Sequence, residues 1–416
     1  MAYKSKVICD NSKLAIEVLS KDPKVKAGLD FLEEDNDYTT QEQIALTEIP
    51  APTFQEQERG LEYQRRLIEY GLKNVQIDSQ GNVFGVRPGT GNGPKLVVAG
   101  HLDTVFPGST DVKAKLRDSR IYAPGIADDG RGLSSVLTLL RAIEKANIKT
   151  TGDIIFGATV GEEGLGDLNG VKALFENRKD IDGFISIEPG SPERITYLAT
   201  GSRRYHVTYT GTGGHSFGDF GKPSTIHALG RAIAKISDIQ TPREPKTTFN
   251  VGTINGGTSI NTISAKAEML IDMRSVSPDA LKDLEDKVMD ILKVAADEEN
   301  KRWETNDIQV DIKLVGDRPA GSQPEDSIIV QAALASAEAL GFEAILDEPS
   351  STDSNVPISL GVPAVTLGGG GKFGGCHTLE EFYDPTDAFY GVQKIFLTML
   401  GLAGVENVSE SLLTKK

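Results

Sequence analysis

The sequence predicts an α/β protein in which a mixed, mostly parallel sheet is sandwiched by helices and interrupted by a smaller α+β insert. Three observations carry this. First, Leu96-Val97-Val98-Ala99, Ile154-Ile155-Phe156-Gly157-Ala158-Thr159-Val160 and Phe184-Ile185-Ser186-Ile187 are short apolar runs, the pattern of strands buried on both faces. Second, residues 133–146 have helical spacing and lie between the first two runs. Strand, helix, strand in that order gives parallel pairing with helices on both faces. Third, the period changes further on. Residues 204–210 and 265–273 alternate polar and apolar side chains, which suits a sheet with one wet face.

In chain order, residues 10–75 read as helical, except at Ile49-Pro50-Ala51-Pro52, where two prolines force an extended segment. Helices follow at about 224–238 and 278–299, inside the region of alternating period. Beyond Lys313 come a helix over 326–340 and the apolar run Val362-Pro363-Ala364-Val365-Thr366-Leu367. The expected organisation is therefore an insert at 200–315, with flanks 1–199 and 316–416 forming one discontinuous domain.

The chain has 416 residues, enough for two to three domains at about 150 residues each. With 44 basic and 60 acidic residues, its net charge of −16 argues against nucleic acid, because a phosphate backbone is bound by Lys and Arg. No stretch approaches the roughly 18 apolar residues that span a bilayer. The first 20 residues carry Lys4, Lys6, Asp10 and Lys13 and lack the apolar segment of a signal peptide. Cys9 and Cys376 make neither a disulfide framework nor a metal knuckle. A cytoplasmic location is the expectation.

The chemistry-bearing residues sit at strand ends and glycine-rich turns. His101-Leu102-Asp103 follows the first apolar run, and ligands of open α/β sheets gather beyond the carboxyl ends of strands. Asp103 could accept the second ring N–H of His101, fixing its tautomer; a purely structural histidine is the competing reading. Asp128-Asp129 opens a helix, where an aspartate also serves as an N-cap. Glu162-Glu163 ends the second run and Glu188 the third; adjacent carboxylates are costly to bury unless paired or metal-bound, and on a solvated loop they carry no message. His377 follows a glycine-rich turn. As an ordered set, two histidines and three carboxylates match the needs of a pair of Zn²⁺ ions with one carboxylate shared.

These motifs resemble the dizinc exopeptidase and deacylase family of peptidase T, glutamate carboxypeptidase, acetylornithine deacetylase and succinyl-diaminopimelate desuccinylase. The resemblance runs from Ile49-Pro50-Ala51-Pro52-Thr53 to His377-Thr378-Leu379-Glu380-Glu381. It rests on Gly100-His101-Leu102-Asp103-Thr104-Val105, Ala127-Asp128-Asp129-Gly130, Glu162-Glu163-Gly164 and Glu188-Pro189. It implies that His101, Asp128 and Glu188 hold one zinc, and that Asp128, Glu163 and His377 hold the other, with Co²⁺ or Mn²⁺ as substitutes. It further implies a cis peptide after Asp128, Asp103 as orienter of His101, and Glu162 as general base toward a zinc-bridging hydroxide.

By the same resemblance the insert would be a ferredoxin-like lid and dimerisation domain. His215, in Gly213-Gly214-His215-Ser216-Phe217, would cross to the partner's site of a homodimer and bond the developing oxyanion; a plain loop histidine is the alternative. Arg274, in Ile271-Asp272-Met273-Arg274-Ser275, would grip a substrate carboxylate, unless it is a surface ion pair. Asn261 would be a further substrate contact, and Gly369 and Gly370 would bound the pocket by their backbone. His206 and His227 read as ordinary strand and helix residues. Two departures stand out: Glu188-Pro189 resembles the carboxypeptidase and deacylase branch, and Asp129-Gly130-Arg131-Gly132 replaces the family's Asp-Lys-Gly. The implied activity is cleavage of short peptides by an exopeptidase. A deacylase acting on N-acyl amino acids is the alternative, and a non-catalytic metal scaffold a remote one.

Overall fold

The computed structural model describes residues 8–416. Lys4 and Lys6, part of the segment read for a leader, lie outside the described residues. The chain divides into two compact units, Met1–Leu198 with Ser322–Lys416, and Ala199–Gly321.

The larger unit is built on an eight-stranded sheet. In spatial order its strands are Lys73–Ile77, Val83–Arg87, Asp153–Thr159, Lys95–His101, Gly183–Glu188, Ala364–Gly368, Arg194–Thr196 and Ile345–Leu346. The four from Asp153–Thr159 to Ala364–Gly368 run parallel, while the first two pair antiparallel. All three apolar runs read from the sequence are in this parallel centre, where both faces are covered. Helices Gly130–Lys145, Ile328–Ala339 and Phe389–Ala403 contribute side chains buried nearly all round. Each fully buried Leu, Ile or Phe contributes about 1.5–3 kcal/mol, so this three-layer core anchors the strand ends.

Residues 10–47 form three helices, Asp10–Lys21, Pro23–Glu34 and Asn36–Thr47. The second starts sharply because Asp22 accepts the N–H groups of Lys24 and Val25 and Pro23 takes the first helical position. After the Pro50 and Pro52 break comes a fourth helix, Gln57–Glu69. The helical expectation to residue 75 runs too far, since the strand Lys73–Ile77 begins before it. With one buried side chain in five, that strand has no apolar run to announce it.

The smaller unit has the order β-α-β-β-α-β. Its antiparallel sheet runs Thr247–Gly256, Lys266–Ser275, Gly201–Thr210, Gln309–Arg318, the ferredoxin-like arrangement. Val207, Tyr209, Met269, Ile271 and Met273 of the sheet share a core with Leu284, Val288 and Leu292 of helix Pro278–Arg302. The expected boundary at 315 falls inside the strand Gln309–Arg318. That strand pairs with Gly201–Thr210 as far as Arg318, so the compact unit continues to Gly321.

Candidate metal centre

Three neighbouring parallel strands deliver His101, the Glu162-Glu163 turn and Glu188 to one edge of the sheet. The helix that starts at Gly130 brings Asp128, and the turn after Lys372–Gly374 brings His377. Gly100 allows the approach: a Cβ there would stand 2.6 Å from the Asp129 carboxylate. Asp129 in turn accepts the backbone N–H of His101 at 2.9 Å and that of Gly132 at 2.8 Å. It is thus both the helix N-cap and a brace for His101, while its neighbour Asp128 faces the histidines. The Asp128-Asp129 peptide is cis.

Asp128 lies between the two histidines. Its Oδ1 is 3.1 Å from His101 Nε2 and its Oδ2 is 3.1 Å from His377 Nε2. His377 Nε2 is also 2.9 Å from Glu163 Oε1, and His101 Nε2 is 3.9 Å from Glu188 Oε2. His101, Asp128 and Glu163 each offer a ligand atom, all within 4.8 Å of one another. His101 is buried, whereas the His377 side chain is half exposed.

The donor set fits a cation. Burial pushes the Glu188 carboxyl well above its ordinary range, and the charges of Asp129, Asp128 and Glu162 push it further while His101 pulls back. Hydrogen bonds to Asp128 and Glu163 hold His377 up to about 10. In both cases the protein is taking up protons where a divalent ion would supply the positive charge.

Asp103 meets the His101 ring through two of its groups. The His101 Nδ1 atom is 2.9 Å from the Asp103 backbone carbonyl and 3.5 Å from its carboxylate. The carboxylate accepts the backbone N–H groups of Glu162 and Glu163, both at 3.0 Å, and the Thr53 hydroxyl at 2.9 Å. Asp103 therefore fixes the Glu162-Glu163 turn through its side chain and meets the His101 ring through both its main-chain carbonyl and its carboxylate.

Gly369 and Gly370 have their N–H groups committed elsewhere, to the carbonyls of Glu188 at 3.0 Å and Gly190 at 2.9 Å. Their carbonyls accept from Arg131 Nε at 2.7 Å and Tyr383 Oη at 3.0 Å. What they bind is the Glu188 turn, through the carbonyls of Glu188 and Gly190. This also gives Arg131 a purpose: a buried guanidinium that ties the start of the Gly130–Lys145 helix to the strand pair carrying Glu188.

Glu381, quoted above only as the end of a motif, is the side chain the sequence reading missed. Its buried carboxylate accepts the N–H groups of Gly125 at 3.0 Å, Ala127 at 2.9 Å and Asp128 at 3.0 Å. Burial pushes it up to about 7 against those three bonds.

The remaining candidates belong to the smaller unit. His215 pairs with Thr262 on a two-stranded ribbon, and its Nδ1 accepts the N–H groups of Phe217 at 3.2 Å and Gly218 at 3.1 Å. A neutral ring with that nitrogen accepting carries its proton on Nε2. Asn261 lies across the same ribbon, its carbonyl accepting the Ser216 N–H at 3.0 Å. Arg274 gives Nε to Asp272 at 2.8 Å, and Asp272 also receives Arg204 at 2.9 Å. His206 and His227 pair with Glu268 at 3.3 Å and Glu299 at 3.5 Å.

His101, Asp128 and Glu163, grouped closely enough beyond the strand ends to hold a metal ion, point to a metallohydrolase. The model of peptidase family M20/M25/M40 matches residues 97–400, and the chain belongs to that family. It is accordingly a metal-dependent hydrolase of the metallopeptidase and amidohydrolase type. YqjE of Bacillus subtilis is 25% identical over 354 residues, covering 82% of this chain and 92% of that protein. A succinyl-diaminopimelate desuccinylase of Nitrosospira multiformis is 27% identical over 255 residues, 57% of this chain and 67% of the relative. The aminopeptidase PepT of Bacillus cereus superposes with a TM-score of 0.72 at 23% identity, over 87% of this chain and 97% of its own. A Staphylococcus aureus tripeptidase does so with a TM-score of 0.74, also at 23% identity and with the same coverage. Among the described residues no helix is long and apolar enough to cross a membrane.

Proposed function

We propose that the protein is a dizinc exopeptidase acting on short peptides. His101, Asp128 and Glu188 would hold one ion and Asp128, Glu163 and His377 the other. The observation that carries the two-ion reading is the pair of equal distances, 3.1 Å, from the two oxygens of Asp128 to different histidines. Zinc ions bound there would polarise an amide carbonyl and bring the pKa of water toward about 7.

The chain's own residues divide the remaining work. Glu162, whose backbone is pinned by Asp103, takes the proton from the attacking water and returns it to the leaving amine. His215, with its proton on Nε2, donates to the carbonyl oxygen as negative charge grows there. That reading needs a homodimer in which His215 reaches the partner's site. The insert offers the means, since Phe217, Ile254, Ile260 and Leu270 are solvent-exposed in it and a second copy could cover them. Arg274 and Asn261 would hold the substrate's carboxylate end.

A second reading, an N-acyl-amino-acid deacylase, is favoured by Glu188-Pro189 and by the desuccinylase relatives. One assay separates them: zinc-loaded protein is given di- and tripeptides with free amines, and the same carboxyl-terminal residues under N-acetyl or N-succinyl groups, with Glu162→Ala as the blank. Turnover of the free-amine set is the expected result. Turnover confined to the blocked set would replace the peptidase by the deacylase, and none in either would leave a metal-binding scaffold.

A further inference from the structure

The loop that presents Asp128 is held from two distant parts of the chain. Glu381 grips it on one side through the N–H groups of Gly125, Ala127 and Asp128. From the other side Gln43, on helix Asn36–Thr47, donates from Nε2 to the carbonyl of Ile126 at 2.7 Å, a buried bond. The Ile126 carbonyl and the Ala127 N–H are the two ends of one peptide plane. That plane is therefore fixed at both ends, one residue before the aspartate that faces both histidines.

The cost of this arrangement is visible. Gln43 Oε1 is buried without a hydrogen-bond partner, and an unmet buried acceptor is destabilising. An apolar side chain of similar length would fill the space without that cost, and rotating the amide would set its oxygen against the Ile126 carbonyl. The helix is also docked closely: Thr47, whose hydroxyl bonds the Gln43 carbonyl at 2.8 Å, would stand 2.5 Å from a Cβ at position 130. Packing alone gives no reason for an amide here, whereas holding the Ile126 carbonyl does.

We infer that Gln43 is a positioning residue of the metal centre, through which the amino-terminal helices set the orientation of Asp128. The inference rests on the reading of Asp128 as the shared ligand. The test measures Zn²⁺ affinity by competition with a chromogenic chelator, alongside Tm and kcat, on the full chain. Gln43→Met keeps the length and removes both the donor and the unmet acceptor. Its expected signature is a Tm equal to or above wild type, with Zn²⁺ affinity and kcat reduced about 10–100-fold and KM little changed.

Glu42→Gln, on the same helix, weakens the ion pairs of Glu42 with Arg66 and Arg141 at 3.0 and 2.6 Å. It should lower Tm and leave Zn²⁺ affinity unchanged. If Gln43→Met does not fold, Gln43→Asn puts the same question with an amide too short to reach Ile126, and the same loss of affinity is expected. Wild-type affinity and kcat in the folded Gln43 variant would overturn the inference, as would an equal loss of affinity in Glu42→Gln. A wild-type chain that binds no divalent ion would overturn the metal-centre reading and this inference with it.

Discussion

Glu299, buried in the smaller unit, meets a cation: Arg231 lies 3.1 Å away, and the Trp303 ring N–H and the Ser224 N–H each reach it at 3.1 Å. Glu381, equally buried in the larger unit, meets three backbone N–H groups instead. Cations of the larger unit divide in the same way: Arg66 and Arg141 pair with the buried Glu42, whereas others bind main-chain carbonyls. In the larger unit Arg59 donates to the carbonyls of Thr47, Ile49 and Leu102, Arg131 to those of Gly369 and Ala388, and Lys394 to that of Arg194 at 2.7 Å. A side-chain pair joins two elements and leaves the loops between them free to vary. A charge spent on main-chain groups dictates the path of a loop, and these loops carry or adjoin the histidines and carboxylates of the candidate centre. The difference teaches where this protein needs fixed geometry: at the strand ends of the larger unit, while the smaller unit presents His215 on an exposed ribbon and Arg274, part-buried, on a central strand.

The comparison is tested most severely at Glu162. Glu162→Ala should cut kcat by about 10²–10⁴-fold with Zn²⁺ content unchanged, measured by single-turnover assay and metal analysis. Loss of metal together with activity would make Glu162 a ligand. Next comes the exposed partner: His215→Ala should lower kcat about 10²–10³-fold and leave both Tm and metal affinity near wild type. A fall in metal affinity would make His215 a ligand instead. Glu381→Gln, which keeps the shape and gives up one of the acceptors, should reduce metal affinity about 10–100-fold by chelator competition. An unchanged affinity would show that the backbone grip is ornamental.

The smallest effect is on stability. Burial pushes Lys394 down to about 7 from an ordinary 10.5, so between those values the folded state binds fewer protons than the unfolded one and stability rises with pH. Lys394→Met should therefore raise Tm by a few degrees at pH 7 or below, with the gain shrinking toward pH 10. A gain independent of pH would mean that the amine is solvated in the native state.

What the sequence displayed was the set of strand ends. His101, Glu163 and Glu188 stood out as candidates because an unbroken apolar run marks a buried strand, and a histidine or carboxylate buried where it stops is costly unless paired or ligated. The strand Gln309–Arg318 was cut at 315 because the polar and apolar alternation of residues 309–314 breaks at Val315 and Gly316, where the pairing register also shifts. The roles of Gln43, Arg131 and Glu381 lay beyond reading, since each acts on a backbone group 83 to 256 residues away. No local pattern marks such a partner. Asp103 shows the intermediate case: the residue was visible, but the hold of its carboxylate on the turn at 162–163 was not.

The larger unit is discontinuous, with the smaller unit, Ala199–Gly321, lying between its halves, and this orders events on the ribosome. Three of the neighbouring central strands and Asp128 are complete once Glu188 is made, but the fourth strand, Ala364–Gly368, and then His377 come later. The gap from 188 to 377 is 189 residues, or roughly 10–40 s of synthesis at about 5–20 residues per second. For that interval the nascent chain holds an exposed strand edge and four of the five candidate ligands. The intervening unit has its own core and can close first, so translation speed across it sets how long the unfinished sheet must wait.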